Sequence, residues 1–293
     1  MHDGLVVVDK PPGCTSHDVV ARLRKIYNQR RVGHAGTLDP DATGVLLVGL
    51  GRATRLLRFL QTEGKAYRGR VVFGIATSTL DASGDTIDQR PMLLTREEVE
   101  RAVPRFVGDI DQLPPMVSAV KVGGRRLHEL ARAGEEVERA LRRVRVDRFE
   151  VEAFEPGPYP EAVVLVECGS GTFVRSLAAD LGAALGGAAH LAELRRLRAG
   201  SFSLDEAHPL DDVAANPAAA VLPMSAAVRG LEPISVDDEQ ARAITHGVAF
   251  ACGALPIVGP GPFAVLDSEG GLLAVYERHG GACKPAVVLA PVG

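Results

Sequence analysis

The sequence predicts a mixed fold that contains both α-helices and β-strands. Runs rich in β-branched and apolar residues, such as residues 4–10 and 45–50, are typical of buried strands. Other stretches place apolar side chains at helical spacing behind a capping residue, as Val19, Val20, Leu23 and Ile26 do behind Thr15 or Ser16. Because both patterns recur along the chain, periodicity supports a mixed class and leaves the sheet topology open.

Strands are predicted where β-branched or alternating residues end at a glycine or proline turn, as at Pro11-Pro12-Gly13. In the first 202 residues they are 4–10, 45–50, 66–75, 142–154, 162–168 and 191–202. Helices are predicted where helical spacing follows a capping residue or precedes a terminating glycine, as with the Thr95-x-x-Glu98 box and Gly134. They are 16–26, 52–60, 95–106, 127–133 and 173–185. Residues 77–87 are a polar loop, and prolines keep 112–121 extended.

The pattern changes near residue 230. A short helix at 237–245 is followed by strand patterns at 264–266, 272–276 and 286–289, enough for a small β-rich domain. Residues 232–293 carry three basic and seven acidic side chains, so the acidic bias of the chain lies there. We therefore predict two domains, residues 1–230 and residues 231–293.

Composition predicts a soluble protein that acts in the cytoplasm. The 293 residues are 46% hydrophobic, which supplies a core, yet no apolar run reaches the length of a membrane span. The first residues lack the basic-then-apolar pattern of a signal peptide. The cysteines are far apart and form no Cys-x-x-Cys pair, so neither a disulfide nor a metal is indicated. They are Cys14, Cys168, Cys252 and Cys283.

Charge distribution leaves two interpretations open. A net charge of −4 argues against indiscriminate binding to nucleic acid. Basic residues nevertheless cluster at 22–31 and again at Arg52, Arg55 and Arg58. They are either a face that contacts phosphates or the solvated sides of two amphipathic helices.

A glycine-rich stretch, residues 31–44, holds the most informative carboxylate. Gly33 and Gly36 permit backbone conformations that other residues avoid, and Pro40 pushes Asp39 toward an extended one. On such a loop Asp39 is a nucleophile, a general base, a metal ligand or a turn residue that binds backbone amides. Metal ligation is the weakest of these because no ligand spacing lies nearby.

The stretch reads Gly-His-Ala-Gly-Thr-Leu-Asp-Pro from Gly33, followed by Ala-Thr-Gly-Val-Leu. This full motif resembles the signature loop of the TruB family of tRNA pseudouridine-55 synthases. The resemblance extends over most of residues 5–200 through further matching segments. They are 8–16, 65–67, 77–84, 112–121, 171–177 and 194–197. The resemblance implies a central, mostly antiparallel mixed sheet flanked by helices, with residues 231–293 similar to a small PUA-type RNA-binding domain.

The resemblance implies a role for each matching residue. Asp39 matches the aspartate that attacks the target uridine, at the ribose C1′ or the base C6, without a cofactor. Tyr67 matches the tyrosine that stacks on the flipped uracil, and Arg175 the arginine that pairs with the catalytic carboxylate. Leu194 matches an apolar residue of the pocket, and His34 a histidine that helps to extrude the base. Flipping is needed because a base in a folded RNA loop is otherwise out of reach.

Each of these residues also has an ordinary structural interpretation. Tyr67 alone is typical of a half-buried strand residue, Arg175 of a helix surface, and His34 of a group that satisfies a loop backbone. Four further residues in matching segments have either a structural or a functional role. They are Lys10, Asp81, Ser118 and Lys121.

The chain departs from the family at two positions. Phe173, which we expect to contact substrate, and His128 stand where the family generally has tyrosine. Phe173 keeps the ring for stacking but loses a hydroxyl. We expect the activity to persist, because neither change falls on Asp39.

The function implied is conversion of a uridine in the T loop of tRNA, position 55, to pseudouridine. We expect a monomer that binds the T stem-loop without an obligate protein partner, membrane, metal or cofactor. Three alternatives stay open: the catalytic subunit of a guide-RNA-dependent complex, a tRNA-binding or folding module with secondary catalysis, and a nucleoside hydrolase with an aspartate nucleophile.

Overall fold

The computed structural model describes residues 2–118, 120–135, 137–251 and 253–289, without the side chains of 121, 126, 128, 131 and 132. Of the residues discussed above, Cys252 and the side chains of Lys121 and His128 therefore lie outside the description. The described chain divides into two compact units. The first comprises Met1–Pro40, Val45–Gln61 and Gly200–Gly293, and the second comprises Asp41–Gly44 and Thr62–Ala199.

The elements are as follows. The helices are α1 (Ser16–Ile26), α2 (Leu57–Gln61), α3 (Arg96–Ala102), α4 (Leu127–Arg132), α5 (Val174–Ala184), α6 (Leu210–Ala215) and α7 (Asp238–Thr245). The strands before α5 are β1 (Gly4–Lys10), β2 (Val32–Ala35), β3 (Thr43–Leu50), β4 (Lys65–Phe73), β5 (Ile75–Thr77), β6 (Thr86–Gln89), β7 (Gly108–Gln112), β8 (Lys121–Val122), β9 (Arg125–Arg126), β10 (Arg142–Glu155) and β11 (Glu161–Cys168). After α5 come β12 (Ala189–Ala199), β13 (Phe202–Ser203), β14 (His208–Pro209), β15 (Glu232–Ser235), β16 (Phe250–Ala251), β17 (Phe263–Leu266), β18 (Leu272–His279) and β19 (Ala282–Val288).

In the first unit, β1 lies between β14 and β3, and β2 pairs antiparallel with β3. Helix α1 begins at the predicted cap: the Thr15 hydroxyl accepts a hydrogen bond from Asp18 N, and the Asp18 carboxylate accepts one from Thr15 N. The apolar stripe of α1 packs against β1 and β3 in one core cluster, where Val19 and Leu23 are almost fully buried. The same unit holds a five-stranded sheet in the order β15-β17-β18-β19-β16, built around Phe263 and Tyr276.

The second unit is an antiparallel sheet in the order β12-β4-β11-β10-β7. The first two residues of β3, Thr43 and Gly44, belong to this unit and pair in parallel with Arg195 and Arg196 of β12. The predicted mixed sheet, mostly antiparallel, is therefore confirmed. The predicted domain boundary near residue 230 precedes β15 and stays a prediction.

Three local expectations differ from the structure. Residues 52–60 begin as a 3₁₀ turn, Gly51–Arg55, before α2. The polar loop at 77–87 closes a hairpin, since β6 pairs with β5. The glycine-rich stretch starts as strand β2, because Gly33 pairs with Gly49 and has an ordinary backbone conformation, whereas Gly36 has a φ of 83°. A Cβ at Gly49 would lie 3.1 Å from Leu57, so this glycine gives packing room to α2.

None of the helices in the described part of the chain is long and apolar enough to cross a membrane. Cys14, Cys168 and Cys283 carry thiols and not disulfides.

Candidate active site

The predicted site residues are divided between the two units. His34 and Asp39 belong to the first, whereas Tyr67, Phe173, Arg175 and Leu194 belong to the second.

Ser16 holds the backbone on the N-terminal side of Asp39. Its hydroxyl accepts a hydrogen bond from Leu38 N at 2.9 Å and donates one to Leu38 O at 3.2 Å. Ser16 is only 1% exposed, so water does not replace these bonds easily. Because Thr15 takes the cap of α1, Ser16 keeps its hydroxyl for the loop.

Lys10 holds the backbone on the C-terminal side of Asp39. Its ammonium donates to Pro40 O at 2.7 Å and to Pro11 O at 2.8 Å, and the residue is fully buried. The residues before and after Asp39 are thus anchored by α1 and by the end of β1. This arrangement gives Lys10 a structural role, which the sequence had left open.

His34 lies on β2, opposite Val48 of β3, and is half-buried. Its ring meets the exposed ring of His17 edge to face, with 5.3 Å between the ring centroids and 83° between their planes. His17 follows Ser16 in the first turn of α1. No pattern in the sequence distinguished His17.

Arg175 is buried in the second unit at the start of α5, with 5% exposure. Its guanidinium forms an ion pair with Asp81 at 3.1 Å and donates to Thr79 O at 3.1 Å and Val117 O at 2.9 Å. The alternative of an arginine on a helix surface is therefore wrong. Burying a cation is costly without such partners, which indicates that its position is tightly defined.

Asp81, the carboxylate partner of Arg175, is itself fixed in a tight polar turn. Its Oδ1 accepts hydrogen bonds from Thr79 Oγ1 at 2.6 Å, Ser83 N at 3.0 Å and Ser83 Oγ at 2.5 Å. Its Oδ2 faces Arg175. The loop at 77–87 therefore acts as a support for the buried guanidinium.

The segment around Phe173 is tied to the proline-rich segment that follows β7. The side-chain amide of Gln112 accepts from Phe173 N at 2.7 Å and donates to Phe173 O at 3.0 Å. One turn later Ser176 Oγ donates to Leu113 O at 2.9 Å. These contacts set the entry of α5 and so the place of Arg175. Gln112 is 1% exposed, and no pattern in the sequence distinguished it individually.

Tyr67 and Leu194 share one face of the sheet. A Cβ at Gly69, two residues after Tyr67, would lie 3.7 Å from Leu194 Cδ1. Because alternate residues of a strand point to the same face, Tyr67 is directed to the side that Leu194 occupies. Tyr67 is 7% exposed, and Leu194 is partly exposed.

Arg196 lies in register with Tyr67 on one side and with Gly44 on the other. Arg196 is fully buried. The burial of Lys65 lowers the pKa of its ammonium group, and the positive charge of nearby Arg196 lowers it further. Burial also raises the pKa of Cys168 to about 11, which keeps this thiol protonated and unsuitable as a nucleophile near neutral pH.

No cluster of ligating side chains for a metal occurs among the residues that the structure describes.

Two family models match consecutive parts of the chain. A model of TruB family pseudouridylate synthases, N-terminal domain, matches residues 24–174. The chain belongs to the TruB family. A model of the tRNA pseudouridylate synthase B C-terminal domain matches residues 175–229, so the matched segments end before β15.

Members of the TruB family from several bacteria align over almost the full chain. A tRNA pseudouridine synthase B of Mycobacterium sp. strain KMS is 45% identical over 290 residues, covering 98% of this chain and 96% of that protein. The protein of the same name from Thermobifida fusca is 44% identical over 297 residues and covers 99% of both chains.

Solved structures show the same fold. A chain in a Cbf5-Nop10-Gar1 complex is 30% identical, with a TM-score of 0.78, over 98% of this chain and 85% of that one. A chain in an H/ACA RNP bound to a substrate RNA containing 2'-deoxyuridine is 27% identical, with a TM-score of 0.76 and the same coverage.

The basic cluster that follows β3 in this TruB-family chain binds protein groups. Arg52 pairs with Asp3 at 2.7 Å and donates to Leu289 O at 2.7 Å, and Arg55 donates to Val288 O at 2.5 Å. Arg58 pairs with Glu277 at 3.3 Å. The three arginines therefore bind the C-terminal sheet, a use that neither interpretation of the sequence had included.

Proposed function

We propose that this chain converts a uridine in the T loop of tRNA, position 55, to pseudouridine. The observation that carries the proposal is the identity of about 45% to proteins named tRNA pseudouridine synthase B, over nearly the whole of both chains. The anchored backbone on both sides of Asp39 supports it, because a nucleophile needs a defined position.

Asp39 acts as the nucleophile. Its carboxylate attacks the ribose C1′, with cleavage of the bond from C1′ to N1, or attacks C6 of the base. The detached uracil turns, a bond forms between its C5 and the ribose C1′, and the bond between the Asp39 carboxylate and the nucleotide breaks, which frees Asp39. The proton lost from C5 is balanced by the proton that N1 gains, so substrate and product are isomers. All groups in this sequence of steps come from the protein and the RNA.

Arg175 has the role that the family resemblance implies, which is to keep the catalytic carboxylate ionised and oriented. Its support by Asp81 and by two backbone carbonyls suits this role, because a fixed cation stabilises charge without having to reorganise. Tyr67 stacks on the flipped uracil, and Leu194, on the same face of the sheet, contributes the apolar wall. Phe173 contacts the substrate as a ring without a hydroxyl.

His34 assists extrusion of the base from the folded loop. Its half-buried position on a paired strand gives the ring a rigid base from which to act. Residues 231–293 form a PUA-like domain that contributes to RNA binding, and its acidic balance limits its contribution to phosphate contacts. The protein works in the cytoplasm as a monomer on tRNA, without an obligate protein partner.

The test is incubation of an unmodified tRNA transcript with purified wild-type protein and with Asp39→Ala, followed by chemical detection of pseudouridine. We expect product at the T loop with the wild type and none with the variant. Product formation by Asp39→Ala would overturn the assignment of the nucleophile.

The same assay separates the alternatives. Activity of the purified protein on tRNA without a guide RNA would exclude dependence on a guide. The likeness to the Cbf5-containing structure is the reason for this comparison. Release of free uracil during turnover would indicate a hydrolase instead. If Asp39→Asn retained the biological role in cells, the folding of tRNA would be the main function.

A further inference from the structure

Exposed aromatic rings are scarce on this protein. The chain has no tryptophan, and its nine phenylalanines and four tyrosines, all of which the structure describes, are buried or only partly exposed. Proteins commonly hold unstacked RNA bases on planar side chains at the surface. Among the described residues, the rings of the exposed class are therefore imidazoles. They belong to His2, His17, His208, His246 and His279.

His17 differs from the other exposed histidines in its neighbour. His2 packs on Tyr27, His246 bonds to a carbonyl of its own helix, and His279 lies near Glu277. His17 instead contacts His34, with 5.3 Å between centroids and nearly perpendicular planes. Perpendicular contacts of this kind are favourable, because the positive edge of one ring meets the negative face of the other.

The backbone that carries His17 is rigid. Thr15 and Asp18 form a reciprocal capping box around it, and Ser16 is bound to the backbone of Leu38. The first turn of α1 therefore contacts both the strand of His34 and the loop of Asp39. A ring attached there loses little additional freedom when it constrains a neighbouring ring.

We propose that His17 is a positioning residue for base extrusion. Its ring fixes the orientation of the His34 ring, and the two imidazoles form one surface that fills the space left by the extruded base. This inference rests on the proposed function and extends it to a residue outside the predicted site. The ligand of this surface is a folded RNA loop, at the place that the extruded base has left.

The test measures the single-turnover rate of pseudouridine formation at saturating tRNA transcript. We expect His17→Ala to lower this rate about 5- to 10-fold, the fold-change that corresponds to the energy of one edge-to-face contact. The Kd for tRNA should change less than about threefold. His17→Phe keeps a ring edge toward His34 and should recover the rate to within about twofold of the wild type. His208→Ala is the matched control, an exposed histidine on β14, and should match the wild type.

The variants His34→Ala and His17→Ala/His34→Ala test whether His17 acts through His34. We expect the double variant to be no slower than His34→Ala alone, since the effect of His17 needs the second ring. Additive losses, a wild-type rate for His17→Ala, or failure of His17→Phe to recover the rate would each overturn the proposal. Thermal melting checks that each variant is folded, and His17→Asn replaces the alanine variant if that one unfolds. If the wild type itself forms no pseudouridine, the proposed function fails, a result distinct from all of these.

Discussion

Ser16 satisfies both backbone groups of Leu38 in a place that water hardly reaches. Removing its hydroxyl leaves the buried Leu38 N without this acceptor, which costs about 1–3 kcal/mol. We expect Ser16→Ala to lower the free energy of unfolding by this amount, and to lower the rate of pseudouridine formation because the backbone next to Asp39 is released. Urea unfolding and single-turnover rates measure the two effects.

Thr15→Ala is the matched control for Ser16→Ala. It removes the helix cap, at a cost of about 1 kcal/mol, but leaves both bonds to Leu38 in place. Its rate should stay near that of the wild type. An equal loss of rate in both variants would mean that the stability of α1, and not the anchoring of the loop, matters for catalysis.

Asp81 forms an ion pair with the buried guanidinium of Arg175. Replacing it with asparagine leaves Arg175 with carbonyl partners but without this counter-charge, so we expect unfolding free energy to fall by about 2–3 kcal/mol. The rate of pseudouridine formation should fall about 10- to 100-fold, equivalent to about 1.4–2.7 kcal/mol. Asp85→Asn, an exposed change in the same loop, should alter neither quantity. A wild-type rate for Asp81→Asn would show that Arg175 keeps its position without this partner.

The contributions of Ser16 and Asp81 could not be derived from the sequence in the way that Asp39 could. Asp39 lies in a contiguous motif whose length makes it specific. Ser16 meets Leu38 22 residues away, and Asp81 meets Arg175 at a far larger separation, so both pairings depend on the packing of distant segments. Sequence patterns carry local information and contain no direct record of such contacts.

At the level of elements, prediction succeeded where the local signal was strong. The strand at 4–10 and the helix at 16–26 match β1 and α1, whose apolar stripe and capping box act together. Short elements were missed: β15 and β16 have four and two residues and depend on pairing with β17 and β19. Gly33 of β2 and Gly49 of β3 concealed a hairpin, because their small size gives packing room to Leu57 of α2 and does not form a turn.

Gly44, near the start of β3, has no room for a side chain. Its φ is 101°, and a Cβ there would lie 2.2 Å from Arg196 O, in the backbone of β12. We expect Gly44→Ala to lower the free energy of unfolding by more than about 3 kcal/mol, through strain and loss of the pairing between β3 and β12. Chemical denaturation measures the loss.

Gly186→Ala provides the comparison for Gly44→Ala. Its φ of 86° is also unfavourable for alanine, but nothing lies within 4 Å of the added Cβ. This variant should lose only about 1 kcal/mol, the cost of the backbone conformation alone. Equal losses at the two glycines would mean that the contact with Arg196 O is readily relieved.

In the first unit as a whole, Arg52 joins the two ends of the described chain. Its guanidinium pairs with Asp3 near the N-terminus and donates to Leu289 O at the end of the C-terminal sheet. We expect Arg52→Ala to increase hydrogen exchange over residues 282–289, since the end of β19 loses a side chain that holds it. Lys25→Ala, an exposed basic residue on α1, is the control and should leave exchange there unchanged.

The ion pair with Arg52 also predicts a pH dependence. Burial alone would raise the pKa of Asp3, but hydrogen bonds and charge from Arg52 outweigh it, so the pKa lies below the ordinary value of 3.8. A carboxyl with a lowered pKa in the folded state stabilises that state above its unfolded pKa, and the contribution is lost as the pH falls through the folded value. The difference in unfolding free energy between wild type and Asp3→Asn should therefore be constant from pH 7 to about pH 5 and shrink below about pH 4. Urea unfolding across this range measures it, and a difference that grew on acidification would contradict the pairing of Asp3 with Arg52.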